Sequence, residues 1–228
     1  MTVSVGFYKK MHDWIIDEYT GEIVFRPLQV NGNPYKSKVL IVGITPEPLM
    51  ERELDNPRIY ADSLVDGELF EELNESRLKE VSREYKGVQK FVRYMKERYN
   101  EDVIISNVNC YIADDANTLK KMKGLKSPLI VKGERIFREV VEEFSPQLII
   151  LQGSKTLKEF TDSFSEQLYY KTDFSLPIQE IENQGIFAEL TLKNGNVCKV
   201  LACRSMSSFN KNGAKFEQLK INIDTIIG

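Results

Sequence analysis

A chain of 228 residues, 42% hydrophobic and 29% charged, has the length and composition of one globular domain of generous size, able to bury a core without staples. A formal net charge of −3 excludes a globally basic nucleic-acid binder but leaves room for a local basic face. Cys110, Cys198 and Cys203 are odd in number and lack C-x-x-C spacing, which argues against a disulfide framework or a metal knuckle and for reduced thiols in a cytoplasmic protein.

The first 30 residues read as an N-terminal helical extension. They contain His12, the one histidine of the chain, which reads as a surface or capping residue. No uninterrupted apolar h-region is evident there, and no apolar run approaches the roughly 20 residues of a membrane span, so no membrane partner is expected. "KVLIVGITPEPLM" follows, an apolar run at Val39–Val42 entering Gly43 and then a turn with Pro46, Glu47 and Pro48. Val103–Ile105 and Leu148–Leu151 repeat the pattern of a short Val/Ile/Leu run ending at a polar residue or glycine, as buried strands of a parallel sheet do.

Helical stripes separate these runs. Leu78, Val81, Tyr85, Val88, Val92 and Met95 recur three or four apart between the first and second. Ile136, Phe137, Val140, Val141 and Phe144 do so between the second and third, and Leu157, Phe160 and Phe164 predict a short helix after Gly153. Asn194-Gly195 signals a hairpin whose second arm, Val197–Cys203, is the best candidate for a fourth core strand. Phe216, Leu219, Ile223 and Ile226 mark a final helix. The alternation predicts one three-layer α/β/α domain over residues 1–228. Its central sheet is mostly parallel, with about four core strands, and the hairpin extends it.

Ligands of such sheets bind outside the carboxyl ends of the strands. Four segments should converge there: Gly43–Met50, Ser106–Asp115, Gln152–Lys155 and Arg204–Gly213. Gly43 allows close backbone approach, and the prolines stiffen the first turn. Asn107, with Asn109 as a weaker candidate, offers an amide that matches a pyrimidine edge. Gly153 and Ser154 open a helix, where exposed N–H groups favour anions, although Ser154 also fits a plain cap. Ser207, Ser208, Asn210, Asn212 and Gly213 surround Phe209, which reads either as an exposed stacking residue or as part of the core. Neither G-x-G-x-x-G nor G-x-x-x-x-G-K-[ST] occurs.

Taken together, "GITP", "ISNVN", "PQLIILQG" and "SMSSFNKNG", the last followed by "AKFEQLKINI", resemble the ordered motifs of the uracil-DNA glycosylase superfamily from about Asn31 to the C-terminus. "NGNPY" and "YADSL" also look like one degenerate branch of it. The resemblance implies a hydrolase of DNA repair that needs no cofactor or metal and takes DNA, a nucleobase or a nucleotide as a monomer. By position, Gly43 and Pro46 would shape the catalytic loop, Asn107 would read the pyrimidine edge, and Tyr60 would stack on the flipped base. Ser207 and Ser208 would touch the DNA backbone, and Phe209 would stand at the wedge that fills the vacated stack.

Two positions depart from the pattern. Thr45 stands where the family has a water-positioning Asn or Asp, and Met206 where it has the histidine that steadies the departing base. A threonine hydroxyl is a poor general base, and a thioether is no useful donor. Glu47 and Asp62 are the nearest substitute carboxylates, and Arg204 the nearest cation, which would act as an electrostatic clamp. Basic residues cluster over 77–98 and 120–138, and Lys120–Lys126 could rim the crevice for a phosphate backbone. The expectation is nucleic-acid or nucleobase binding at the strand ends with weak or non-standard N-glycosidic hydrolysis. The alternative is a non-catalytic nucleotide or small-ligand module on the same fold.

Overall fold

Runs of Val, Ile and Leu too short for helices form the centre of the molecule, here described from a computed structural model. The structure describes residues 5–30, 32–47, 56–66, 68–69, 72–73, 81–113, 116–210 and 213–228. Strands β3 (Val39–Gly43), β4 (Val103–Asn107), β5 (Leu148–Gln152) and β8 (Val197–Cys203) lie parallel. The antiparallel β7 (Ile186–Thr191) and β6 (Leu168–Tyr170) extend the sheet past β8, giving six strands in the order β4-β3-β5-β8-β7-β6. Asn194-Gly195 lies in the β7–β8 turn with Gly195 at φ 86°, the left-handed conformation that glycine adopts without strain.

Helices cover both faces. On one face, α5 (Pro128–Phe144) and α6 (Ser154–Ser163) pack Ile136, Phe137, Val140, Phe144, Leu157 and Phe160 over Leu40, Val42, Ile104, Ile149 and Leu151. On the other, α3 (Arg83–Tyr99) and α8 (Glu217–Ile227) set Val88, Phe91, Met95, Leu219 and Ile223 over Val39, Ile41, Val103, Leu148, Ile150 and Leu201. The result is a three-layer α/β/α architecture. The predicted stripe of α3 begins later than its spacing suggests. Ser82 caps the helix by accepting the Tyr85 N–H at 3.1 Å, and Leu78, Arg77 and Lys79 lie outside the described residues.

The N-terminal segment is more than a helical extension. After α1 (Val5–Ile15) come a two-stranded ladder, β1 (Ile16–Asp17) with β2 (Glu22–Ile23), and an extended stretch along the open edge of β4. Gln29 exchanges backbone hydrogen bonds with Ile105 at 2.7 and 2.8 Å, and the Arg26 N–H donates to the Cys110 carbonyl. That contact covers an edge that would otherwise present unpaired backbone groups. Met11, Trp14, Phe25 and Leu28 are buried in the main core. The remaining described helices are α2 (Pro57–Ser63), α4 (Ala116–Gly124) and α7 (Ile178–Gln184). All three cysteines are buried and unpaired, and burial pushes the Cys110 and Cys198 thiols up to about 12. Among the described residues no helix is long and apolar enough to cross a membrane.

Candidate functional site

α3, the long helix between β3 and β4, covers one face of the sheet, and α6, which follows β5, covers the other. The carboxyl ends of these adjacent strands are where open α/β sheets hold their ligands. A small open cleft of about 40 Å³ lies there. Thr45, Pro46, Glu47, Asn107 and Gln152 line it from the strand ends. Val88, Tyr85, Glu84 and Ser82 line it from α3 and its cap, and Arg26, Leu28 and Gln29 from the edge-covering segment.

Three of these positions meet by strand register. Gly43 pairs with Asn107 across β3–β4, and Val42 pairs with Leu151, which brings Gln152 beside Gly43 on its other flank. A Cβ added at Gly43 would sit 2.6 Å from Asn107 Oδ1 and 3.0 Å from Gln152 Nε2. Glycine is therefore required for the two amides to close in over the middle strand. The loops behind them are fastened together, since the Val108 N–H donates to the Gly43 carbonyl at 3.0 Å and the Asn109 N–H to the Ile44 carbonyl at 3.3 Å. The side chains of Asn107, Gln152 and Thr45 make no hydrogen bond with the described residues, although the Asn107 main-chain carbonyl accepts from the Cys110 thiol. Gln152 is 6% exposed, and its Oε1 is a buried acceptor without a donor.

Glu47 lines the cleft as expected, but its carboxylate is already held. The Ser82 hydroxyl donates to it, and its main-chain carbonyl accepts from Arg26 at 3.4 Å. Glu84 is a second carboxylate on the same cleft, accepting from the Ser205 hydroxyl at 2.9 Å, and Ser205 in turn accepts the Ser207 N–H at 3.2 Å. Arg26, 4% exposed, is the one cation of the lining among the described residues. Tyr85 donates its hydroxyl to Gln29 Oε1 at 3.1 Å and so closes one wall.

Several expected contacts are corrected by the packing. Met206 is fully buried in the α3–α8 core and absent from the cleft lining, because its main chain packs against Gly87, where a Cβ would meet the Met206 oxygen at 1.7 Å. Tyr60 is fully buried, donates its hydroxyl to the Phe25 carbonyl at 3.1 Å and lies 5.9 Å from the Arg26 guanidinium, so it offers no face to a base in the cleft. Phe209 is 2% exposed and packs edge-on to Phe91 and Tyr94 and beside Phe216, which makes it a core anchor and not a wedge.

Arg204 is committed elsewhere, giving its N–H and Nε–H to the buried Glu182 at 2.9 and 3.1 Å. Asn109 turns toward α5, where its Oδ1 lies against Gly133. Ser207 and Ser208 are exposed on a short 3₁₀ turn, Met206–Ser208, beside the cleft. Gly153 and Ser154 do open α6, outside the cleft lining. His12 is exposed on α1. Asp62 lies on α2, outside the cleft lining. None of Lys120–Lys126 lines the cleft, and Lys123 pairs with Glu159. Pro48, Asp115 and Asn212 lie outside the described residues.

Gln152 begins one of the four segments expected to converge but was not singled out within it, and Glu84 and Arg26 escaped sequence reasoning. Gln152 ends an otherwise apolar strand, and that isolated polar residue was a signal in plain view. Arg26 and Glu84 carry no local signal, since only the wrapping of the first 30 residues and the placement of α3 bring them to the cleft.

The fold and the cleft define a class: a mostly parallel α/β/α domain with a polar, amide-lined cleft at the carboxyl ends of its strands. No protein-family model matches the chain, and the search of curated proteins finds no significant relative.

Proposed function

We propose that this chain is a uracil-DNA glycosylase-like protein that takes a nucleobase ring into the cleft and hydrolyses an N-glycosidic bond slowly, without the usual catalytic pair. One observation carries the reading. Asn107, the residue to which the resemblance assigns the pyrimidine edge, lies against Gly43 in one cleft with Thr45, Pro46 and Glu47, and no described side chain uses its amide.

An amide supplies a donor and an acceptor side by side, which complements a ring carbonyl next to a ring N–H. In the reaction, a water held by the Thr45 hydroxyl gives a proton to Glu47 as its oxygen bonds to the sugar carbon. The carbon–nitrogen bond breaks and its electron pair leaves with the base. For this, Glu47 exchanges its Ser82 hydrogen bond for one to the water. Arg26 faces the developing anion as a fixed charge and cannot protonate it. With Met206 in the core, the donor usually aimed at that anion is missing, which costs on the order of 100- to 1000-fold in rate.

The test is a strand-cleavage assay on oligonucleotides bearing uracil or hypoxanthine, run beside a titration with the free bases. Slow release is expected, abolished by Asn107→Ala and reduced about 100-fold or more by Glu47→Gln. Neither turnover nor base binding would end the reading.

The non-catalytic alternative has its own support. Phe209 is buried in the core, and the described lining of the cleft carries two carboxylates against one guanidinium, a charge balance that does not favour a phosphate backbone. A pure binding module predicts that free bases or nucleosides bind without turnover and that affinity is indifferent to strand length.

A further inference from the structure

Resting on the nucleic-acid side of the proposed function, we propose that the outer face of α3 holds the phosphate backbone of a bound strand and leads that strand to the cleft. Arg83, Lys86, Lys90 and Arg93 follow one another three, four and three residues apart, so they form one stripe along the helix, about 15 Å long at about 1.5 Å per residue. The stripe lies opposite Tyr85, Val88, Phe91 and Met95, the face that α3 buries. Arg83, Lys90 and Arg93 are exposed, and Lys86 is half-buried. None of the four makes an ion pair or a side-chain hydrogen bond with a described residue.

Such a stripe works against the helix that carries it. Like charges three and four apart repel, and Arg83 and Lys86 stand at the start of the helix, where its dipole also disfavours cations. Further along, the same helix shows the ordinary arrangement, with Lys96 paired to Asp102 at 2.8 Å and Arg98 to Asp224 at 3.0 Å. Exposed Glu97 ends the stripe, and Glu84 is turned to the cleft and Ser205. A repeating anion laid along the stripe neutralises all four charges at once and gives up its own counterions in exchange, which a single phosphate cannot do. Placement ties this surface to the cleft. Arg83 stands between Ser82 and Glu84, both of the cleft lining, so the stripe starts at the rim. The backbone therefore stays on α3, outside the acidic lining, and only a base enters.

The experiment uses the full chain in three forms: wild type, a stripe variant with Arg83→Gln, Lys86→Gln, Lys90→Gln and Arg93→Gln, and a charge-matched control. The control carries Lys120→Gln, Lys121→Gln, Lys155→Gln and Lys158→Gln, exposed on α6 and on α4, which Lys123–Glu159 joins to it, across the sheet from α3. Binding of a labelled oligonucleotide without damaged bases is read by fluorescence anisotropy between about 50 and 200 mM salt, beside a titration with free uracil and a thermal melt. The stripe variant should bind about tenfold or more weakly at the low-salt end. The slope of its log affinity against log salt should shrink by about 3, from four contacts at roughly 0.7 to 0.9 each, while the control keeps the wild-type slope. Its uracil binding should be unchanged and its melting temperature no lower, because repulsion along the helix has gone. Equal losses in both variants would reduce the effect to net charge and overturn the inference. So would wild-type binding to phosphatidylserine vesicles but not to the oligonucleotide. If the wild type binds uracil and the stripe variant keeps the wild-type slope, or if the wild type binds uracil and no oligonucleotide, this inference fails and the base-binding reading stands. If the oligonucleotide binds through the stripe and uracil does not bind, the surface stands and the base-binding reading fails. If the wild type binds neither, both fail.

Discussion

Asn107 lies directly opposite Gly43 in the β3–β4 pairing, with its amide oxygen 2.6 Å from the point a Cβ at Gly43 would occupy. The atoms that such a methyl group would displace are the far ends of two flexible side chains, Asn107 and Gln152, and not backbone. Gly43→Ala should therefore cost less than about 1 kcal/mol of stability yet weaken base binding tenfold or more by splaying the two amides. Thermal melts beside base titrations check this. Equal losses in both would mean that the glycine serves the fold alone.

Gly87 is the opposite case. A Cβ there would meet the backbone oxygen of Met206 at 1.7 Å and its carbonyl carbon at 2.5 Å, and neither atom can rotate away. Gly87→Ala should force α3 off the 3₁₀ turn and lower stability by about 2–3 kcal/mol, a fall of about 5–10 °C in melting temperature. Differential scanning calorimetry reads it directly, and an unchanged melting temperature would contradict the packing.

Phe209 separates two roles cleanly. As a core ring against Phe91, Tyr94 and Phe216, its replacement by alanine should cost about 3–5 kcal/mol in chemical denaturation. A wedge would lose DNA affinity and keep its stability.

Asp17 tests the electrostatics of the N-terminal ladder. Burial works to raise its pKa, but the Lys132 ammonium, at 3.3 Å, and the N–H groups of Tyr19 and Thr20 outweigh it and hold the carboxyl below its usual value of 3.8. A depressed pKa means stability that is present above the unfolded value and lost as pH falls through the folded one. Asp17→Asn should therefore cost about 1–2 kcal/mol at pH 7, and the gap to wild type should close as pH falls below about 3.8. Melting curves from pH 7 to pH 2 would show the convergence, and a gap that stays constant with pH would rule out the pairing.

The three buried thiols should be inert to disulfide reagents in the native state, because burial keeps them protonated and out of reach. All three should react on unfolding, and a fast-reacting native cysteine would contradict the core.

Much of the architecture was written locally. Strand runs such as Leu148–Leu151, the stripe Ile136–Phe144 and the Asn194-Gly195 turn depend on side-chain spacing and on a glycine's backbone freedom, properties that a short window of residues contains. The same spacing ended the strands at Gly43 and Asn107 and so pointed to the rim of the sheet where the cleft lies. What the window could not contain was which side chains turn into the cleft. Met206, Phe209 and Tyr60 looked like site residues because of their place in loops and motifs, yet loops beside a parallel sheet also deliver the rings that seal its covering helices. The choice between the two depends on Gly87, Phe91, Phe25 and Arg26, which are distant in the chain. The closure of the Asn107 and Gln152 amides over Gly43 was equally out of reach, because it exists only when three strands separated by scores of residues come into register with glycine in the middle.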